Sequence, residues 1–257
     1  MACAQFRFYE ELNDFLPPDC RKRAFEHPLA RAATVKHAIE ALGVPHTEVE
    51  VILVNGESVG FSHRLQAGDR VAVYPRFESF DIAPLLRVRP APLRVVRFIA
   101  DVHLGRLARY LRLLGFDTVF EPGLGDAEIA RRAAAERRVV LTRDRGLLKR
   151  RIVTHGCLVR ATRPLRQLEE ILERLQLHRL VRPFTLCTQC NHPIEEVAKD
   201  AVADRLEPDT ARYYERFYRC PGCDRIYWEG SHYDKMCRFV DRLLGATPQT
   251  QERGDAT

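Results

Sequence analysis

VVRFIADVHLGRLARYLRLLGF, residues Val95–Phe116, opens with an apolar run, Val95, Val96, Phe98, Ile99 and Ala100, and stops at an acid, Asp101. Such a run reads as a buried strand. Ligands of open parallel sheets bind outside the carboxyl ends of the strands, so an acid at that end stands where chemistry is expected. The rest of the stretch has helical period. Leu104, Leu107, Ala108, Leu111 and Leu114 make one face, Arg106, Arg109 and Arg112 recur every third residue on another, and Gly115 is placed to cap the end.

Downstream the pattern repeats. Residues 117–120 (DTVF) predict a second short strand, and a Pro/Gly loop leads to a helix opening at Asp126. Val139–Thr142 predict a strand ending at Arg143-Asp144; GLLKRR predicts a short basic turn, Cys157–Val159 a strand, and PLRQLEEILERLQL a helix. Regular alternation of strands and helices with short connections predicts an α/β domain built on a parallel, doubly wound sheet. Asp101, Asp126 and Asp144 then fall after strands or at a helix start, where they could share one edge.

Three acids so placed suit hard oxygen ligation of Mg²⁺ or Mn²⁺, which activates water and stabilises a leaving phosphate oxygen. Each also has a plainer use: Asp126 as a helix N-cap, Asp144 as a turn residue, Asp101 as the cap of the helix that follows. The charge distribution favours a polyanionic partner. Residues 93–183 carry 20 Lys and Arg against 10 Asp and Glu, and all but one of these cations are arginine. Residues 1–92 carry 11 against 12 and residues 184–257 carry 10 against 13, so the whole basic excess of the chain sits in the middle segment. Arginine's planar fork suits phosphate, and nucleic acid is the leading partner class, ahead of an acidic protein or membrane surface. Arg106, Arg109, Arg112 and Arg143 are the candidate substrate-binding cations; their alternative use is to pair with the same acids. His103 is read as a loop neighbour of Asp101.

Upstream, residues 1–80 give a strand with alternating aromatics (FRFYEELNDFL), a break at Pro17-Pro18-Asp19, and a helix VKHAIEALG capped by Thr34. Two strand-like runs about Asn55-Gly56 and a last strand VAVYP complete a β-grasp, ubiquitin-like layout. The LVNG and QAGDRVAVYP runs resemble the small sulfur carriers of thiamine and molybdopterin synthesis. Those work through a free C-terminal Gly-Gly, whereas here Tyr74-Pro75 runs on into more chain, so a binding or scaffolding module for a protein partner is expected instead. The prolines of residues 81–92 (DIAPLLRVRPAP) predict a linker.

The most specific local signal lies in residues 184–245. Cys187-Thr-Gln-Cys190 and Cys220-Pro-Gly-Cys223 are two knuckles 29 residues apart, the spacing of a zinc ribbon with an inserted hairpin or helix. Four thiolates make a closed structural Zn²⁺ site with no open position for catalysis. Cys3, Cys20, Cys157 and Cys237 are scattered and read as small apolar residues. Ile226, Tyr227 and Trp228 predict a strand on the ribbon; Tyr227, Trp228, His232 and Tyr233 have stacking on RNA bases as an alternative use, with core packing favoured for Trp228 and His232 left open. Ser231 is placed to cap a final helix, and residues 246–257 predict a disordered tail. A hydrophobic fraction of 46% excludes a largely disordered chain, and the absence of an apolar run of membrane-spanning length or of a signal-like N-terminus predicts a cytoplasmic protein with no membrane partner.

The runs DVHLGRLARYLRLLGFD and GDAEIARRAAAERRVVLTRDRGLLKRR, with the double CxxC and RIYWEGSH, resemble the Mut-seven C-terminal RNase family. That family belongs to the PIN-like nucleases and often carries a β-grasp domain in front and a zinc ribbon behind. The resemblance spans nearly the whole chain. It implies a PIN-like nuclease domain over residues 93–183 and a metal-dependent endoribonuclease with Asp101, Asp126 and Asp144 as its acids, acting on RNA such as tRNA or rRNA. PIN-type sites often have a fourth acid soon after the strand-end one; here RGLLKRR has none, and Glu128 is the stand-in. The competing expectation is a non-catalytic RNA-binding or ribosome-associated protein that keeps the basic groove and the ribbon.

Overall fold

The computed structural model describes residues 2–75, 87–88 and 96–245. Most of the linker expected at 81–92, and the tail expected at 246–257, lie outside them.

The first sheet is a β-grasp. Strand β1 (Cys3–Phe8) pairs parallel with β5 (Arg70–Tyr74) and antiparallel with β2 (Phe25–Pro28); β5 pairs antiparallel with β3 (Val51–Val54), which turns into the short β4 (Glu57–Ser58). The sheet order is β2-β1-β5-β3-β4. Asn55 and Gly56 both have positive φ, 54° and 91°, the two-residue turn whose twist matches a hairpin. Helix α1 (Val35–Ala41) is capped by the Thr34 hydroxyl, which accepts from the His37 N–H at 3.3 Å, and buries Val35, Ala38 and Ile39. The aromatic run ends as strand at Phe8; Glu10–Phe15 form a 3-10 turn that buries Leu12 and Phe15.

The second sheet is fully parallel: β6 (Phe98–Ala100) lies between β7 (Thr118–Val119) and β8 (Val139–Thr142), and β9 (Gly156–Leu158) pairs with β8. The order is β7-β6-β8-β9. The chain leaves β6 to one side for β7 and crosses to the other for β8, so the topological switch falls between the carboxyl ends of β6 and β8. Helices α2 (Gly105–Leu113), α3 (Asp126–Glu136), α4 (Arg145–Leu148) and α5 (Pro164–Arg174) follow in the expected order. The end of α2 is closed as a Schellman motif: Phe116 N–H donates to the Leu111 carbonyl and Gly115 N–H to that of Arg112, with Gly115 at φ +87°.

β9 is an edge strand, and the β-grasp covers it. Glu48 accepts the Leu158 N–H at 2.6 Å, Lys149 Nζ donates to the Glu40 carbonyl at 2.9 Å, and Arg160 pairs with Asp14 at 2.6 Å. One apolar cluster runs through both sheets, from Phe6, Ile39 and Ile52 to Ile99, Val140, Leu147 and Leu158. His46, buried here, bridges Glu40 Oε1 at 2.7 Å through Nδ1 and the Val153 carbonyl at 2.8 Å through Nε2. Burial alone would raise the Glu40 carboxyl; the hydrogen bond and charge of His46, with Lys36 and Lys149, outweigh it and hold it below the ordinary carboxylate range. A depressed folded-state value stabilises the fold above the ordinary range, and that stabilisation is lost as pH falls through the folded value. Glu40→Gln is therefore expected to cost about 1–2 kcal/mol at neutral pH, a cost that shrinks as pH falls through the carboxyl's folded-state value. Thermal melts of both proteins from neutral to acid pH check this; parallel curves would remove the carboxylate from the account.

The third sheet is antiparallel, β10 (Glu195–Val197), β11 (Phe217–Arg219) and β12 (Ile226–Trp228), with α6 (Pro208–Tyr213) in the insert and α7 (Ser231–Gly245) after it. The architecture is thus a β-grasp, a parallel-sheet α/β fold and a ribbon fitted to zinc. By packing, the chain divides into two compact units, one from residues 1–108 and 118–167, the other from 109–117 and 168–257. Helices α2 and α5 each contribute to both, so packing does not divide the chain at the sequence boundaries of 92 and 183. No helix of the described residues is long and apolar enough to cross a membrane.

Candidate active site

Asp101 follows β6, Asp144 lies two residues beyond β8, and Asp126 opens α3 after the β7 loop, which places all three at the carboxyl edge of the parallel sheet. Asp101 and Asp144 flank the topological switch. Asp101 is 6% exposed and fully engaged: Oδ1 accepts the His103 N–H at 2.9 Å, and Oδ2 accepts the Thr142 hydroxyl and, at 3.3 Å, the Arg143 N–H. It is also the N-cap of the 3-10 turn Val102–Leu104. Thr142, fully buried, gives its proton to Asp101 and accepts the Asp144 N–H at 2.9 Å. One hydroxyl therefore ties the ends of two adjacent strands together. Sequence reading passes over Thr142, because a threonine ending a strand looks like any β-former. The signal is register: Leu141 pairs with Ala100, so the next residue on each strand, Thr142 and Asp101, come alongside one another.

Asp144 is exposed, and its Oδ1 accepts the Gly146 N–H at 2.7 Å as the cap of α4. A Cβ on Gly146 would lie 3.2 Å from that oxygen, so glycine there leaves the carboxylate its place. Asp126 is not the N-cap of α3; Gly125 is, and Asp126 lies in the first turn, 4.0 Å from an Arg150 nitrogen. Asp126 comes one residue too late because the chain is still extended at Gly125, with φ −81° and ψ 162°. Glu128 is taken up by Arg131, whose Nε donates at 2.9 Å, and this hydrogen bond holds its carboxyl below the ordinary range.

Among the arginines, Arg106, Arg109 and Arg143 are exposed. Arg112 is not a surface cation. It is 4% exposed and donates to the carbonyls of Thr188 at 3.3 Å and Gln189 at 2.7 Å, in the first cysteine knuckle. A three-residue spacing lags the helix by about 60° per step, so the stripe that starts exposed at Arg106 turns inward by Arg112.

Cys187, Cys190, Cys220 and Cys223 are, among the described residues, the one group of three or more metal-binding side chains whose ligand atoms all lie within 4.8 Å of one another. Cys187 and Cys223 sulfurs are 3.5 Å apart, and those of Cys190 and Cys220 3.2 Å, near the about 3.8 Å edge of a tetrahedron with about 2.3 Å bonds. Burial pushes the Cys190 thiol up to about 12. At Cys187 burial acts the same way, but hydrogen bonds from the Tyr227 hydroxyl and the N–H groups of Cys190 and Gln189 outweigh it and bring the thiol to about 6. A divalent cation is what lets all four ionise together, and the cluster can hold a metal such as zinc. The three carboxylates form no comparable group. Their oxygen chemistry fits Mg²⁺ or Mn²⁺, which one or two carboxylates and water suffice to hold, and Asp101 with Asp144 is the pair that the Thr142 link orders. Trp228 corrects the core-packing expectation: it is 39% exposed, its indole lying against Gly230, where a Cβ would meet Nε1 at 2.8 Å.

Residues 96–240, more than half the chain, match the family model described as the Mut7-C RNase domain, and residues 1–81 match the one described as Mut7-C ubiquitin. Among solved structures the chain is similar to the crystal structure of small archaeal modifier protein 1 of H. volcanii, at 21% identity over 30% of this chain and 100% of that one, with a TM-score of 0.25. A second crystal structure, of SAMP1 from Haloferax volcanii, is 19% identical over 30% of this chain and 99% of that one, also with a TM-score of 0.25. No curated protein matches.

Proposed function

Because the chain belongs to the Mut7-C RNase domain family, we propose that it hydrolyses RNA phosphodiester bonds at the carboxyl edge of its parallel sheet. The observation that supports this most is the Thr142 hydroxyl shared between Asp101 and the backbone of Asp144, which fixes two acids on either side of the switch point. Asp101 and Asp144 would hold Mg²⁺ or Mn²⁺, with Asp126 the third acid of that edge. The ion, when bound, supplies an activated water and charge for the leaving oxygen. The chain's own part is to orient: Thr142 and the N–H groups of His103 and Arg143 fix the Asp101 oxygens, and exposed Arg106, Arg109 and Arg143 offer phosphate contacts. Zinc on the four cysteines would be structural, since a closed thiolate set leaves no position for substrate.

A non-catalytic RNA-binding protein is the second reading, favoured by the full engagement of Asp101 and by the Arg150 partner of Asp126. Metal dependence separates the two, because arginines grip phosphate without carboxylates. Purified protein is expected to cut a labelled structured RNA with Mn²⁺ and to leave it whole, still bound, with EDTA. Binding without cleavage in both conditions would hand the site to the second reading for that RNA.

A further inference from the structure

Arg145 follows Asp144 directly and opens α4, outside the arginine spacing that marks α2. It is exposed and has no carboxylate partner among the described residues. Its guanidinium carbon lies 5.3 Å from the centroid of the Phe15 ring, which belongs to the 3-10 turn of the β-grasp and is itself 5% exposed. Arg160 lies 4.9 Å from the same ring. The two cations differ in what else holds them. Arg160 donates to Asp14 Oδ2 at 2.6 Å and to the Glu11 carbonyl at 3.0 Å, so its charge is met within the protein. Arg145 has no such carboxylate or carbonyl partner among the described residues.

A guanidinium stacked on a ring commits its face and keeps its edges free, and those edges carry the N–H fork that fits phosphate. Stacking also removes side-chain freedom before a ligand arrives, so less is lost on binding. We infer that Arg145, held by Phe15, is a phosphate contact for the RNA strand beside Asp144, and that Phe15 is its positioning residue. This rests on the RNA reading of the same edge. It gives the β-grasp a part in substrate binding: the turn that carries Phe15 also carries Glu11 and Asp14, which secure Arg160 as the fixed neighbour.

The test measures binding of a labelled single-stranded RNA by the full zinc-loaded chain without added Mg²⁺ or Mn²⁺ across a salt series, for wild type, Arg145→Gln, Arg145→Lys, Phe15→Leu and the Arg145→Gln/Phe15→Leu double variant. Arg145→Gln, a change at an exposed side chain, is expected to weaken binding about tenfold and to flatten the plot of log K against log salt by about one unit. Arg145→Lys should recover the slope but only part of the affinity. Phe15→Leu keeps the turn apolar, and its binding loss should vanish in the Arg145→Gln background, because it acts through that arginine. An Arg145→Gln protein with wild-type affinity and slope overturns the inference, as does a Phe15→Leu loss that persists in the double variant. Cleavage with Mn²⁺ is scored separately: a wild-type protein that binds and never cuts refutes the nuclease reading while these slopes still decide the role of Arg145.

Discussion

Asp101→Asn and Asp144→Asn proteins are expected to fold, to bind RNA as the wild type does, and to cut it at least about 10³-fold more slowly. The size follows from the several kcal/mol of charge stabilisation that a carboxylate-held cation supplies, at about 1.4 kcal/mol per factor of ten. Folding survives for separate reasons at the two positions. In Asp101→Asn the amide keeps an acceptor oxygen for the His103 N–H and loses the acceptor that faced the Thr142 hydroxyl and the Arg143 N–H, at about 1–3 kcal/mol. In Asp144→Asn the new side chain still caps α4 through the Gly146 N–H, since asparagine caps as well as aspartate. Thr142→Val removes the shared hydroxyl with both carboxylates in place, and its rate should fall between wild type and the asparagine variants. Single-turnover cleavage beside filter binding and circular dichroism reads all three; full activity in either asparagine variant would take that acid out of the chemistry.

Gly115→Ala should be among the most damaging single changes in the protein. At φ +87° an L side chain costs about 1–2 kcal/mol, and here a Cβ would also overlap the Arg182 carbonyl oxygen and crowd the Thr185 hydroxyl. Neither neighbour is free to retreat. The backbone N–H groups of Arg182 and Phe184 donate to the carbonyls of Leu114 and Leu113 at 2.9 and 3.0 Å, and the Thr185 hydroxyl donates to the Arg182 carbonyl at 2.9 Å. A loss above about 4 kcal/mol is expected, enough to leave little folded protein. Gly68 separates the two causes, because its φ is +87° as well and nothing lies within 4 Å of the added Cβ. Gly68→Ala should cost only the backbone part. Chemical denaturation of the two variants compares them; equal costs would mean that the contact with Arg182 relaxes freely.

Much of this is legible in the sequence because periodicity and local chemistry agree. The apolar run before Asp101, the Thr34 cap, the Asn55-Gly56 turn and the Gly115 cap each act within a few residues, and each stands where the pattern puts it. Other features depend on pairings between distant segments. Strand β2 is only Phe-Glu-His-Pro, with no alternation of its own, and becomes a strand by pairing with β1. Placing Asp101 beside Asp144 needs the β7-β6-β8-β9 order, and the role of Thr142 needs the Leu141–Ala100 register that brings it level with Asp101. Arg112 and Trp228 go the other way: residue type suggests a cation for substrate and an aromatic for the core, and their neighbours reverse both.

The cover on β9 also bears on how the protein is made. An edge strand with an open row of N–H groups invites pairing with other chains while a nascent protein is incomplete. Here the covering layer is encoded first: the segment that carries His46 and Glu48 leaves the ribosome about a hundred residues before Val153 and Leu158. The residues that cover β9 are therefore synthesised before the strand they cover. In a chain with the module after the nuclease sheet, β9 would be synthesised before anything that covers it.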